Sequence, residues 1–430
     1  MAEPGLNAST PSTARPDTPH SVRFRRARRG SILKIGLPTV ALAVSSLIGC
    51  GDDEEDVNER SGTTFERAYA VFTRILGPDQ RTNFITMVGD IEPQEIDISN
   101  SLELNDFSRI REFEGDLIVF AGESAEITRY RVEADLSLTE IGRFSMANDG
   151  IDGFSNSLAF ISATRAYYID AQQRRVVVWN PREMTRTGAF DIELAVDGFP
   201  NATVGTPAVI GDKVLFAIQW NDATGLNPRP VVGVGELSAT QDGVFAVNTD
   251  DTCGVSQTGF AASGRYYAVG DWSSGAASVY SEFELPDPCA VEYDPESSEF
   301  SGNVINLIES TGAPLISAGF GIDETTFAVR VFDDPRDIDA IPQEIPNPRN
   351  FLSLEAWRWA VVTLPGGGSE RVEGLPLSNT SFPPVVIDGA IHLPIEQQSE
   401  GRGTLFRVDG IQATPTIEAA GEILNVVRLR

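Results

Sequence analysis

The stretch Arg165-Ala166-Tyr167-Tyr168-Ile169-Asp170, a polar turn, and then Val176-Val177-Val178-Trp179-Asn180-Pro181 decides the fold. Aromatic and β-branched side chains suit a pleated sheet surface, so both runs read as strands. The same phrase recurs along the chain. A short apolar strand makes a tight turn at a Gly or a polar pair, and a second strand rich in aromatic and β-branched residues ends at an acidic residue. A third and often a fourth strand follow. Further copies centre on Leu117-Ile118-Val119-Phe120, Val214-Leu215-Phe216-Ala217-Ile218, Tyr266-Tyr267-Ala268-Val269, Phe327-Ala328-Val329-Arg330-Val331-Phe332 and Ile391-His392-Leu393-Pro394-Ile395, with a poorer one over 69–75. These second strands begin near residues 69, 117, 166, 214, 266, 327 and 391. The period is close to 50 and widens to about 60 late in the chain, which suits propeller blades with loop insertions.

One four-stranded blade cannot bury both of its faces, whereas blades stacked around an axis can. The expected fold is therefore all-β, a β-propeller of seven four-stranded blades over residues 65–430. The run Ile423-Leu424-Asn425-Val426-Val427-Arg428-Leu429 has no blade of its own. It is expected to pair with the first blade and clasp the two chain ends together. A pair of β-sandwiches would also show many short strands, but it does not predict a repeat of this period.

Ahead of the repeats lies a different kind of sequence. Residues 1–29 are poor in apolar side chains and end in the basic cluster Arg23, Arg25, Arg26, Arg28 and Arg29; an apolar run over 32–48 closes on Leu47-Ile48-Gly49-Cys50. Such a run is too short to be a comfortable permanent span and has the flanks of a signal peptide. Its end resembles the lipobox of bacterial lipoproteins, which implies cleavage before Cys50 and lipidation of its thiol. Residues 1–49 are then a signal peptide, and residues 50–64 a lipidated cysteine with an acidic tether, Asp52-Asp53-Glu54-Glu55-Asp56. Acyl chains contribute about 0.8 kcal/mol per buried methylene, so several chains on one cysteine hold a domain firmly at a bilayer.

The chain carries a formal charge of −29, and loss of residues 1–49 removes seven basic and two acidic residues, leaving a net of −34. A surface so negative repels nucleic acid and anionic headgroups, so the expected partners are the membrane, through the anchor, and a small molecule or envelope protein. Lys213 is the only lysine after the leader. Cys253 and Cys289 remain once Cys50 is acylated, an even pair suited to a disulfide in an oxidising compartment. Such a bridge would contribute ~3–4 kcal/mol by the chain-entropy estimate.

Histidine chemistry is nearly excluded, because His392 is the only histidine after the leader and sits within an apolar strand. Neither a Gly-x-Ser-x-Gly elbow nor a P-loop occurs. More informative are Glu123, Asp170, Asp222, Asp271, Asp333 and Glu396, each placed where the second strand of a repeat ends. In a propeller these ends share one face, so the carboxylates would crown one mouth of the channel and favour a cationic ligand or an oxygen-liganded ion such as Ca²⁺. Aspartate is also common at hairpin turns, where it bonds nearby backbone amides. Trp220 and Trp272 lie beside two of these carboxylates and offer apolar walls for a small-molecule pocket.

With the lipobox, the Tyr-Tyr-Ile-Asp phrase at 167–170 and the Val-Val-Trp-Asn-Pro phrase at 177–181, the chain resembles propeller-shaped lipoproteins of myxobacteria and their relatives, a group that includes the protein encoded beside myxochelin-type siderophore genes. The resemblance implies a surface-binding role, with iron-siderophore handling as one form of it; Gly51, directly after the lipidated cysteine, is not the acidic second residue that retains some lipoproteins at the inner membrane, so the outer membrane or cell surface is the expected location. It transfers no catalytic residue. The competing expectation is a propeller enzyme of the lactonase type, which would hold a central Ca²⁺; a quinoprotein would need more tryptophan docking motifs than five tryptophans supply.

Overall fold

The computed structural model describes residues 64–77, 81–153, 157–194, 201–221, 232–238, 243–248, 253, 258–270, 273–280, 285–379, 382–397 and 401–430. Each run read above as a second strand takes that place in a four-stranded antiparallel blade, and the described residues form seven such blades, two of which carry one extra short strand. From blade 1 to blade 7 the second strands are Tyr69–Leu76, Asp116–Phe120, Arg165–Asp170, Lys213–Asn221, Arg265–Val269, Thr326–Phe332 and Ala390–Gln397.

Burial explains why these strands are so apolar. All five residues of Asp116–Phe120 are buried, because both faces of the strand are covered. Successive side chains point to opposite neighbours. Phe216 and Ile218 pack with Tyr167, Val176 and Ile169 of blade 3, while Leu215 and Ala217 pack with Tyr266 and Val291 of blade 5. The same division repeats at every junction, from Phe72 against Leu117 and Val119 between blades 1 and 2 to Leu405 and Ile417 against Tyr69 and Val71 between blades 7 and 1. The outermost strands need no such cover, and Leu138–Ser145 and Thr185–Asp191 are largely exposed. Gly233 and Gly235 follow from this packing too. A Cβ there would lie 2.2 Å from the rings of Trp220 and Phe216, so only glycine fits.

Ring closure takes the form expected from the orphan terminal run. Glu422–Arg428 is the innermost strand of blade 1 and pairs antiparallel with Tyr69–Leu76, from Tyr69 opposite Arg428 to Arg74 opposite Glu422. Asp388 at the foot of blade 7 secures the seam by accepting from Tyr69 Oη at 2.9 Å and pairing with Arg428. On the outside, Gln94–Glu95 leaves blade 1 to add a short parallel strand to the edge of blade 7 at Gln412–Ala420. Polar clamps join other blades. Lys213 pairs with Glu236 at 2.8 Å, and Glu236 accepts from Tyr293 Oη of the next blade at 2.9 Å. Lys213 is thus a junction residue of blades 4 and 5. The Cys253–Cys289 disulfide, with Cα atoms 5.4 Å apart, fastens the approach to blade 5 onto its third strand.

The two ends of the ring differ. On one, the first and second strands join through tight turns such as Glu114-Gly115, Ser263-Gly264 and Asp388-Gly389, all with positive φ, as the twist-matched hairpin turn requires. The other end carries the long connections, among them 146–157, 270–288 and 333–356. Within the last two, the helices Ser274–Tyr280, Ile341–Glu344 and Pro348–Leu352 pack around Phe332, Phe351 and Trp357. Ile423 at the closing seam is 2 % exposed. Ile423→Ala should therefore cost about 2–5 kcal/mol, read as a lower urea midpoint, and a chain ending at Gly421 should lose cooperative unfolding altogether.

Candidate functional site

All seven second strands run toward the end with the long connections, so the residues that terminate them share that end. Variable connections on a rigid scaffold are where binding residues concentrate. Of the acidic residues expected there, Asp222 and Asp271 lie outside the described residues, as do Trp272 and Cys50. The others occupy four different settings. Glu123 is exposed in the hairpin 121–125 of blade 2. Asp170 holds its turn by accepting from the Gln173 amide at 2.8 Å. Desolvation pushes its carboxyl above the ordinary range, against the pull of the Gln173 and Gln172 amides and with the help of Asp152. Asp333 is matched by two arginines, accepting from Arg358 Nε at 2.6 Å and Arg371 Nη1 at 2.8 Å. Trp220 is a core residue between blades 3 and 4 whose Nε1 donates to the Leu194 carbonyl at 2.7 Å. Among the described residues, no group of three or more His, Cys, Asp or Glu is placed to hold a metal ion. His392 is buried, and Nδ1 donates to the Ala390 carbonyl at 3.1 Å. Desolvation lowers its pKa, so the ring is neutral at ordinary pH.

Glu396 differs from the rest. It lies at the end of the second strand of blade 7, is 7 % exposed, and is hydrogen-bonded to Glu422 at the start of the closing strand in blade 1. Two carboxyl groups can share such a site only by sharing a proton. Burial, then the hydrogen bond and charge of Glu422, push Glu396 up to about 8; Arg74 opposes this and Glu355 adds to it. Arg74 ion-pairs with Glu422. The cluster therefore holds one proton and one net negative charge against one arginine, buried where the last blade meets the first.

Next to it, Arg109 and Arg111 stand on the innermost strand of blade 2, Arg109–Phe113. Desolvation and then repulsion from Arg74 hold Arg109 below its usual range, with Asp106 pulling the other way. Desolvation, followed by repulsion from Arg109, brings Arg111 down to about 10. Arg74, Arg109, Arg111 and Glu422 were not singled out by sequence. The available signal was the alternation Arg109-Ile110-Arg111 in a chain poor in basic residues, together with a glutamate directly ahead of the orphan terminal strand.

No family model and no curated protein matches the chain. Solved structures do resemble it. A protein of Bacteroides uniformis described as a putative 6-phosphogluconolactonase superposes with a TM-score of 0.52 at 9 % identity, over 84 % of this chain and 99 % of its own. A protein of Bacteroides fragilis with the same description gives 0.50 at 7 %, over 84 % and 97 %. A Lactobacillus plantarum protein gives 0.50 at 11 %, over 85 % and 99 %. At such identities the likeness establishes the propeller fold alone.

The shared proton sets a pH dependence. A carboxyl raised from 4.5 to about 8 binds a proton in the folded chain that the unfolded chain has already released. Its stabilising contribution is thus fully present below about pH 4.5 and is lost as pH rises toward 8. Melting temperatures of the natural protein and Glu396→Gln should accordingly coincide below about pH 4.5 and diverge progressively as pH rises toward 8, with the variant the more stable.

Proposed function

We propose that the chain is a lipid-anchored binding module of the cell envelope, and that it takes a small ligand at the channel mouth where blades 7, 1 and 2 meet. One observation carries the reading. The Glu396–Glu422–Arg74 cluster is buried on the end of the ring that bears the long connections, beside two further arginines of an innermost strand. Ionisable groups are costly to bury for stability alone, and perturbed ones in a cleft gather at functional sites. The anchor is supported by the basic cluster, apolar run and Leu-Ile-Gly-Cys ending at Cys50. Placement at the outer membrane draws its support from Gly51 after Cys50, and a siderophore as the ligand from the resemblance to myxobacterial lipoproteins.

Two measurements test this. Labelling of growing cells with a fatty-acid analogue should tag the natural protein and not Cys50→Ala. Native mass spectrometry of the protein solubilised from its membrane should reveal a co-purifying small molecule that is released on denaturation and missing from Glu422→Gln. A protein that travels empty from cells, in every growth condition tried, would remove the binding assignment.

A second reading has a specific observation behind it. Glu396, at about 8, is matched to general acid–base work near neutral pH, and two of the similar folds are described as putative 6-phosphogluconolactonases. In lactone hydrolysis Glu396 would give its proton to the ring oxygen as water adds to the acyl carbon and the acyl C–O bond breaks, and its carboxylate would regain a proton from the added water. Base-uptake assays with gluconolactone and its 6-phosphate decide it. Turnover abolished by Glu396→Gln would establish the enzyme, and its absence would leave binding.

A further inference from the structure

A row of arginines, Arg74 of blade 1 and then Arg109 and Arg111 of blade 2, begins at the end of the ring that bears the long connections. Arg109 and Arg111 alternate on the innermost strand of blade 2 and so share one side of it, while Ile110 between them packs into the core with blade 1. Arg74 spends its charge on Glu422. Arg109 does not have that outlet. Its guanidinium donates to the carbonyls of Phe107 at 3.1 Å and Ser108 at 2.8 Å, and no carboxylate among the described residues forms an ion pair with it. Arg109 feels the repulsion of Arg74, and Arg111 that of Arg109. A chain with 62 acidic and 33 basic residues has thus gathered positive charge at one partly desolvated spot, where the field of each charge is strengthened.

A separate feature marks the same rim. Phe107, directly ahead of this strand, is 49 % exposed and has φ 60°. Left-handed backbone is costly for a bulky residue, and such strain persists where the surroundings impose it, often at ligand sites. Here the Asp106 carboxylate accepts from the Phe107 amide at 2.8 Å. The loop is also pressed so closely on the next hairpin that a Cβ on Gly122 would fall 2.1 Å from the Phe107 carbonyl carbon. The result is a large apolar ring held out in solvent beside the arginines.

We propose that this mouth binds a small organic anion, with its carboxylate or phosphate on Arg109 and its apolar body against Phe107. The planar fork of arginine matches both head groups with paired hydrogen bonds. The Glu396–Glu422 pair, one junction away, would receive a donor group at the far end of the ligand. This assignment rests on the binding-module reading and specifies the ligand class for it.

Calorimetric titration of the full chain in mild detergent tests the inference with three probes: phenyl phosphate, inorganic phosphate and benzylamine. Phenyl phosphate should bind, inorganic phosphate should bind about tenfold more weakly for want of the ring contact, and benzylamine should give no heat of binding. Arg109→Gln should weaken phenyl phosphate by about tenfold or more, Arg109→Lys by less because the charge remains, and Phe107→Ala should bring phenyl phosphate down to the level of inorganic phosphate. Benzylamine binding more tightly than phenyl phosphate, or phenyl phosphate indifferent to both Arg109 variants, would overturn the anion assignment. A neutral or cationic molecule recovered by native mass spectrometry would do the same while leaving the binding module intact. An empty protein that also ignores all three probes would remove both.

Discussion

The structure depends on burial between blades. A four-stranded sheet has two apolar faces and nothing of its own to cover them, so each second strand divides its side chains between two neighbours. Tyr167 and Ile169 serve one junction while Ala166 and Tyr168 serve the other. A linear stack would leave its first and last blades half bare, and closure removes that cost. The chain closes through Glu422–Arg428, which supplies the innermost strand of blade 1 from the opposite terminus. Stability is thereby made long-range: Tyr69 and Arg428 are neighbours in one sheet although nearly the whole propeller lies between them in sequence.

That seam also carries the most unusual electrostatics. Glu422 comes from the closing strand, Arg74 from the second strand of blade 1 and Glu396 from the last blade, so the cluster exists only once the ring has closed. Two buried carboxyl groups in contact would repel each other as anions, and here a retained proton and one arginine resolve the conflict. The fold accepts a polar, pH-sensitive joint where the last blade meets the first, beside the one blade whose two inner strands come from opposite ends of the propeller. Other junctions show that a simpler solution was available, since Asp116 and Arg129 form an ordinary matched pair, with Arg129 Nη1 also donating to the Pro181 carbonyl at 3.0 Å.

Charge is distributed against the overall composition. The acidic side chains that end the hairpins are mostly engaged: Asp333 with two arginines and Asp170 with its own turn. The arginines on the innermost strand of blade 2 face the channel region with only carbonyl contacts for Arg109. A strongly negative exterior with positive charge at an interior mouth repels bulk polyanions while leaving a local minimum for a small one.

The sequence by itself determined the number of blades, the identity of every second strand and the role of the terminal run, because burial on both faces writes an apolar phrase that returns with each blade. Residue type and spacing also pointed to the Cys253–Cys289 bridge and singled out Glu396 at the end of its strand. What the phrase could not convey is which of six similar acidic positions has a partner. Arg358 and Arg371 reach Asp333 from neighbouring strands of blade 6, and Glu422 reaches Glu396 from the closing strand. Likewise nothing in Arg109-Ile110-Arg111 reveals that Arg74 stands beside them, since hydrophobic periodicity reports the faces that are buried and is silent on which charges meet. Tertiary structure decided those encounters, because ring closure alone brings the two chain ends, and the ionisable groups they carry, to one mouth.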